Sequence, residues 1–437
     1  MMTNTYLPHV GGVANSVDAF TQEYRRRGHH VLVVAPEFEG APEDEPDVIR
    51  LPAIQNFNGS DFSVRLPAPG YLARALQDFE PQLVHSHHPF LIGDTALRVA
   101  ANRALPLVFT HHTMYEQYTH YVPGESRAMR RYVIDLSAGY ANLCDQVFAP
   151  SESVADVLRE RDVAAPIEVV PTGVDAHRFR VGDGERFRRE HEIPADAYVV
   201  GHVGRLAPEK NLPVLARAVA AMLRRHDDAH FLLVGEGPSR EEIERVFAED
   251  DLSDRLHLVG RKTDQPLVDA YHAMDLFAFA SYSETQGMVL TEAMAADVPV
   301  VAFDAPGVRE VIRDGQNGRL VTDEGIAALT EALDWAHQRS GTKRDEMRRA
   351  ARETADAFSM PRCADKALGI YERLLADGPP KSAARASEET PWHAASRLFE
   401  MEWNLWTNRA RAAGHALDSG ETWGQKLRRW FGGKGKG

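Results

Sequence analysis

The stretch S-Y-S-E-T-Q-G-M-V-L-T-E-A-M-A-A, residues 281–296, carries the pattern on which the fold class turns. It follows the apolar run 275–280 and precedes another at 299–303, so it reads as strand, polar loop, helix, strand. Glu284 falls in the loop, and Glu292, eight residues on, falls inside a helix beginning near Gly287. Both carboxylates are expected to face one cleft, with Glu292 about a turn and a half deeper. The N–H groups of Gly287, Met288 and Val289 open that helix without intrahelical partners, at the positive end of its dipole, where phosphate binds. Carboxylates accept hydrogen bonds from sugar hydroxyls and free amides donate to phosphate; a nucleotide sugar offers both groups. Acids are also common at helix starts, so the spacing alone does not separate this reading from a solvated helix start.

Outward from this stretch, short apolar runs alternate with helical patterns. Runs at 30–35, 83–88, 105–112, 146–150 and 167–171 read as one series of strands. A second series starts afresh at 198–204 and continues through 230–235, 256–260, 275–280, 299–303 and 318–321. Such alternation predicts an α/β fold of two Rossmann-like halves, each a parallel sheet covered on both faces. The expected division is a first domain at 1–175, a polar linker at 176–196, a second domain at 197–358, a helix at 359–378 and a tail at 379–437. The chain opens M-M-T-N-T-Y-L-P, with few apolar residues before Thr3, so its first strand is expected to be short and the start truncated or misassigned.

At 437 residues with 43% hydrophobic content, each half has enough apolar side chains for a core of its own. The net charge of −14 argues against a general nucleic-acid binder. That charge is uneven: from Lys381 onward there are ten basic and six acidic residues, a net +4, leaving −18 on residues 1–380. Cys144 and Cys363 fit no C-x-x-C or metal spacing, which points to a reduced, cytoplasmic compartment. No signal peptide and no apolar run of membrane-spanning length is visible.

Residues 283–302, S-E-T-Q-G and onward through D-V-P-V-V-A, resemble the E-x7-E segment of retaining glycosyltransferases of family 4. The resemblance extends over about residues 3–376. It implies the GT-B fold, two facing Rossmann-like domains with a C-terminal crossover helix, here followed by an extra helical tail. Y-L-P-H-V-G-G-V-A is similar to the family's first loop, which places Gly11 and Gly12 against the donor diphosphate. G-R-L-A-P-E-K-N resembles its diphosphate clamp, with Arg205 and Lys210 as the cations that offset charge on the leaving nucleotide. F-T-H-H-T-M-Y-E identifies His112 as the histidine contacting the donor sugar near its reacting carbon. V-G-E-G-P sets Gly235 under the nucleotide, Glu292 would hold the ribose, and Glu284 the sugar hydroxyls. Catalytic roles are thus expected for His112, Arg205, Lys210 and Glu284, and donor binding for Gly11, Gly12, Gly235, Gly287, Met288, Val289 and Glu292.

The histidines at 85, 87, 88, 111, 112 and 120 invite a metal site, but no nearby carboxylate completes a ligand set and the chain has no Asp-x-Asp. No metal or cofactor is expected beyond the nucleotide-sugar co-substrate, with UDP-glucose favoured. H-H-T-M-Y-E-Q-Y-T-H-Y-V-P together with S-E-T-Q-G resembles the diacylglycerol glucosyltransferase branch, which implies a lipid acceptor at the inner face of the cytoplasmic membrane. Next to it, Met129, Val133, Leu136, Tyr140 and Leu143 form an apolar helical stripe beside Arg127, Arg130 and Arg131, suited either to an anionic bilayer or to core packing. The tail holds five of six tryptophans and ends K-L-R-R-W-F-G-G-K-G-K-G, which reads as a membrane or partner anchor. Rival readings are a transferase for a soluble saccharide or metabolite, a nucleotide-sugar epimerase, and a scaffold without catalysis. The tandem of E-K-N and E-x7-E speaks against the last two.

Overall fold

The computed structural model describes residues 1–9, 11–42, 44–54, 64–65, 69–116, 127–282, 284–378 and 407–409. The chain forms two compact units. One comprises Met1–Pro150, Val154–Val170 and the described residues from Asp365 on; the other comprises Ser151–Ser153 and Pro171–Ala364.

In the first unit, α1 (Gly12–Arg26) leads to β1 (Val33–Pro36) and β2 (Val48–Leu51), then to a short antiparallel pair, β3 (Ala53–Ile54) and β4 (Val64–Arg65). There follow α2 (Pro69–Phe79), β5 (Val84–Ser86), α3 (Ile92–Arg103), β6 (Leu107–Thr110), α4 (Arg127–Ala141), β7 (Gln146–Ala149), α5 (Glu152–Glu160) and β8 (Ile167–Val169). β1 pairs with β2, and β5 through β8 pair in sequence, all parallel. Met2 joins the two sets by bridging Val34 and Ser86, so the first strand is a single bridged residue. β1, β6 and β7 are buried throughout, as strands covered on both faces must be.

The second unit holds α6 (Ala176–Phe179), α7 (Gly184–Glu190), β9 (Tyr198–Val203), α8 (Leu212–Leu223), β10 (Ala229–Val234), α9 (Arg240–Glu249) and β11 (Leu256–Leu258). It continues with α10 (Asp264–His272), β12 (Leu276–Phe279), α11 (Met288–Ala295), β13 (Val300–Phe303), β14 (Gly318–Val321), α12 (Ile326–His337) and α13 (Thr342–Ala357). The strand order is β11-β10-β9-β12-β13-β14, all parallel. Alternate residues feed separate cores: Val199, Val300 and Ala302 lie in one, and Val200, Val301 and Phe303 in the other. β9 and β12 are neighbours whose onward connections leave in opposite directions, so a crevice opens at their carboxyl ends, the usual ligand position of a doubly wound sheet.

The segment 176–196 differs from the linker expected of its polarity. Asp175 and Asp183 each accept a hydrogen bond from the third N–H onward, at 3.0 and 2.8 Å, and so cap α6 and α7. Phe179, Phe187 and Ile193 are buried in the second unit's core. The helix expected at 359–378 is α14 (Met360–Ala376), and the chain passes from the second unit to the first within it, at Asp365. In the first unit Tyr371 of α14 stacks on Phe148 at 5.8 Å, and its hydroxyl lies 2.6 Å from Nδ1 of His85.

Both cysteines are free and buried. The tryptophan-rich tail and His120 lie outside the described residues. Of the tail, only 407–409 is described, and Asn408 donates to Leu136 O of α4 at 3.2 Å. On α4 the stripe is only partly committed to the core: Tyr140 is buried and donates to Gly93 O at 3.0 Å, whereas Met129, Val133 and Leu136 are half-buried.

Candidate active site

In the second unit, the pairing of β9 with β12 brings the loop after each strand to the same edge. Arg205 and Lys210 stand on the first loop and Glu284 on the second. Although 74 residues apart, Lys210 Nζ and Glu284 Oε1 form an ion pair. Arg205 pairs in turn with Glu209 and is half exposed. At the ligand-free edge each of the two expected clamp cations is thus satisfied by a neighbouring carboxylate. A diphosphate arriving there replaces one partner by another.

Gly287 caps α11 with φ +70°, the left-handed region that favours glycine, and Met288 and Val289 open the helix. The loop before it is anchored by Gln286, which is buried. Its side chain accepts from Thr172 N at 2.7 Å and donates to Thr172 O at 2.5 Å. Gly235, after β10, has φ +147°, and a Cβ there would meet Gly204 O at 1.9 Å. It lets the turns after β9 and β10 touch.

Glu292 lies one turn into α11, half-buried, and Oε2 accepts the Tyr271 hydroxyl at 2.8 Å. Burial raises its pKa to about 7, against the opposing pull of the Tyr271 hydrogen bond and the Arg178 charge. Beneath the Gly204 turn, His202 is fully buried. Its Nδ1 donates to Ala278 O at 3.0 Å, its Nε2 has no partner, and burial lowers its pKa to about 4. Tyr271, Arg178, Gln286 and His202 all escaped the sequence reading.

The first unit carries the remaining expected residues by itself. His112 follows β6 and lies 2.9 Å, Nε2 to Nδ1, from His87 after β5. His87 Nε2 faces Met1 Sδ at 3.1 Å. A thioether only accepts, so His87 holds its proton on Nε2 and accepts from His112 at Nδ1. Burial drives the His112 pKa to about 3, leaving the imidazole neutral. Gly11 precedes α1 in an extended conformation, φ −173°, and a Cβ on Gly12 would meet nothing within 4 Å. Among the described residues nothing requires glycine at position 12. Among the described residues the histidines after β5 and β6 do not gather with carboxylates. The metal-like cluster among the described residues is instead His226, Asp228 and His337 of the second unit, with ligand atoms within 4.8 Å of one another.

Residues 10–178 match the model of Glycosyltransferase Family 4, and residues 183–354 that of Glycosyl transferases group 1. A GDP-mannose-dependent alpha-mannosyltransferase of Mycolicibacterium smegmatis is 30% identical, over 86% of this chain and 97% of that protein. The chain belongs to the family 4 glycosyltransferases. An alpha-monoglucosyldiacylglycerol synthase of Streptococcus pneumoniae is 26% identical, over 76% of this chain and 77% of its own length. Among solved structures, sucrose-phosphate synthase from Thermosynechococcus elongatus is similar with a TM-score of 0.68 and 22% identity, over 86% of this chain and 96% of that one. An Anabaena protein crystallised with UDP is similar with a TM-score of 0.66 and 21% identity, over 85% and 98%. The fold is that of the GT-B glycosyltransferases, and the chain is a hexosyltransferase.

Proposed function

We propose that this enzyme moves a hexose from a nucleotide-sugar donor, UDP-glucose foremost, to a hydroxyl of a membrane lipid such as diacylglycerol, with retention at the anomeric carbon. The observation that carries the donor half of this reading is the Lys210–Glu284 pair beside the α11 N-terminus, cation, carboxylate and free amides at one sheet edge. Diphosphate would take Lys210, Arg205 and the amides of Gly287, Met288 and Val289. Glu284, released, would accept the sugar hydroxyls, and Glu292 the ribose. As the glycosidic bond to the diphosphate breaks, negative charge builds on the leaving oxygen, and the fixed cations and amides stabilise it. The acceptor hydroxyl attacks from the same face and passes its proton to the departing phosphate. His112, neutral and held by His87, would orient the sugar, and Gly11 and Gly12 would leave room for the phosphates. The reaction in this reading needs no divalent metal.

The lipid acceptor is supported by the alpha-monoglucosyldiacylglycerol synthase relative and by the half-buried stripe of α4 beside the exposed Arg127, Arg130 and Arg131. Among the described residues no helix is long and apolar enough to cross a membrane, so contact with lipid would be peripheral. A second reading, mannosyl transfer from GDP-mannose, is favoured by the Mycolicibacterium relative, which this chain spans almost completely. Incubating the full chain with labelled UDP-glucose or GDP-mannose, plus lipid extract or soluble sugars, decides between them. A chloroform-soluble product with an α-linked glucose supports the first reading, and a water-soluble mannoside overturns it. Turnover abolished by EDTA and restored by a divalent ion overturns metal independence.

A further inference from the structure

Tyr271 of α10 is fully buried, yet its hydroxyl reaches Oε2 of Glu292 on α11. The edge of its ring meets Phe179 at 5.7 Å, which limits the ways the phenol can turn. Phe179 belongs to α6, and the preceding residue, Arg178, lies over the Phe179 ring at 5.6 Å. Arg178 attracts the Glu292 carboxylate while its own nearest acid is Asp264, at 3.5 Å. Two elements, α10 and α6, thus converge on the carboxylate that α11 carries, and Tyr271 is fixed by packing before any ligand arrives.

We propose that Tyr271 is a positioning residue for nucleotide recognition: it occupies Oε2 of Glu292, directs the second oxygen to the ribose diol, and acts with Arg178 to keep the carboxylate ionised. This rests on the reading that Glu292 holds the ribose. The chemistry asks for such a device. An ionised carboxylate accepts from both hydroxyls of a vicinal diol, whereas the neutral acid loses an acceptor and presents a proton. Burial favours the neutral form, and only Tyr271 and Arg178 pull against it. α13 also packs on α11 but brings no charged neighbour to Glu292 among the described residues.

The test is calorimetric binding of UDP and of GDP to the full chain between pH 6 and 9. In the wild type the dissociation constant should rise about tenfold per pH unit below the Glu292 midpoint near 7. Phosphate titrates near pH 6 on its own account, so each curve is read against Glu292→Gln, which shares that contribution. Tyr271→Phe should move the midpoint upward by about one unit, weakening binding roughly five- to tenfold at pH 7 and little at pH 9. Arg178→Ala should give a smaller shift, restored by Arg178→Lys. A Tyr271→Phe chain that melts normally and binds with the wild-type midpoint, or more weakly by the same factor at every pH, overturns the proposal. If Glu292→Gln binds as the wild type does at every pH, or the wild type binds neither nucleotide, the ribose assignment itself falls. If Glu292→Gln removes the limb while Tyr271→Phe leaves it in place, the assignment stands and only the role of Tyr271 is lost.

Discussion

Replacing Glu292 by Gln should make the ligand-free protein more stable, and increasingly so as the pH rises. The carboxyl's ordinary value is 4.5 and its value in the fold is about 7. A folded-state pKa above the unfolded one means that the folded chain holds the extra proton, so wild-type stability declines from about pH 4.5 to 7, and the full deficit is present above 7. That rise in pKa corresponds to a cost on the order of 3 kcal/mol at pH 8, and to under about 0.5 kcal/mol at pH 4.5. Gln keeps an acceptor for the Tyr271 hydroxyl and carries no charge, so it should recover most of that cost. For a domain of this size the recovery is a rise of roughly 5–10 °C in Tm at pH 8. The assay is thermal unfolding of both full chains at half-unit steps from pH 4.5 to 8. A variant less stable than the wild type at pH 8, or one with an equal advantage at pH 4.5, would falsify the claim that the site holds a strained acid. The same substitution should weaken donor binding, since the charge that destabilises the empty site is the charge the ribose would engage.

Lys210→Ala should lower turnover about 100- to 1,000-fold with a smaller change in donor KM, because the cation acts mainly on charge that develops as the nucleotide leaves; unchanged turnover removes it from the mechanism. Gly235→Ala should destabilise the second unit by about 3 kcal/mol, as its Cβ would lie 1.9 Å from Gly204 O in a left-handed backbone. A melting curve that stays put refutes that. Gly12→Ala should leave the melting curve in place, with nothing within 4 Å of its Cβ, and yet raise donor KM; an unaltered KM argues against diphosphate at that loop. A chain ending at Gly378 should keep its melting curve and lose co-sedimentation with anionic liposomes, and retained binding defeats the anchor reading of the tail.

Most strands were legible because a parallel sheet covered on both faces needs largely apolar runs, and 198–203, 229–234 and 300–303 supply them, interrupted only by Gly201 and the buried His202 and His230. β2 was missed because V-I-R-L carries Arg50, whose guanidinium is held by Glu45 and the Leu7 carbonyl rather than by solvent. α6 and α7 were missed because their polarity outweighed Phe179 and Phe187 in the reading. The usable signal was local: an aspartate three residues ahead of each capped N–H, at 175 and 183. Glu284, Lys210 and Glu292 were found through motifs, whereas their partners were not. Tyr271 is 21 residues from Glu292 and on another helix, and no periodicity links the two.

What joins them is strand order. β9 opens the second unit's sheet in sequence but lies at its centre, with β10 and β11 on one side and β12 to β14 on the other. Only at that reversal do two consecutive loop ends stand side by side without a helix crossing between them, so the residues after β9 and after β12 can pair across 74 positions. The pairs then explain how such a site tolerates being empty. Lys210 and Arg205 each hold a carboxylate, and Glu292, whose Oε2 accepts from Tyr271, has a pKa of about 7, so no full charge is left both desolvated and unmatched at neutral pH. A ligand bearing phosphates and hydroxyls together gives every one of these groups a replacement partner, whereas phosphate alone would free Glu284 without engaging it. That asymmetry favours the complete nucleotide sugar over its fragments.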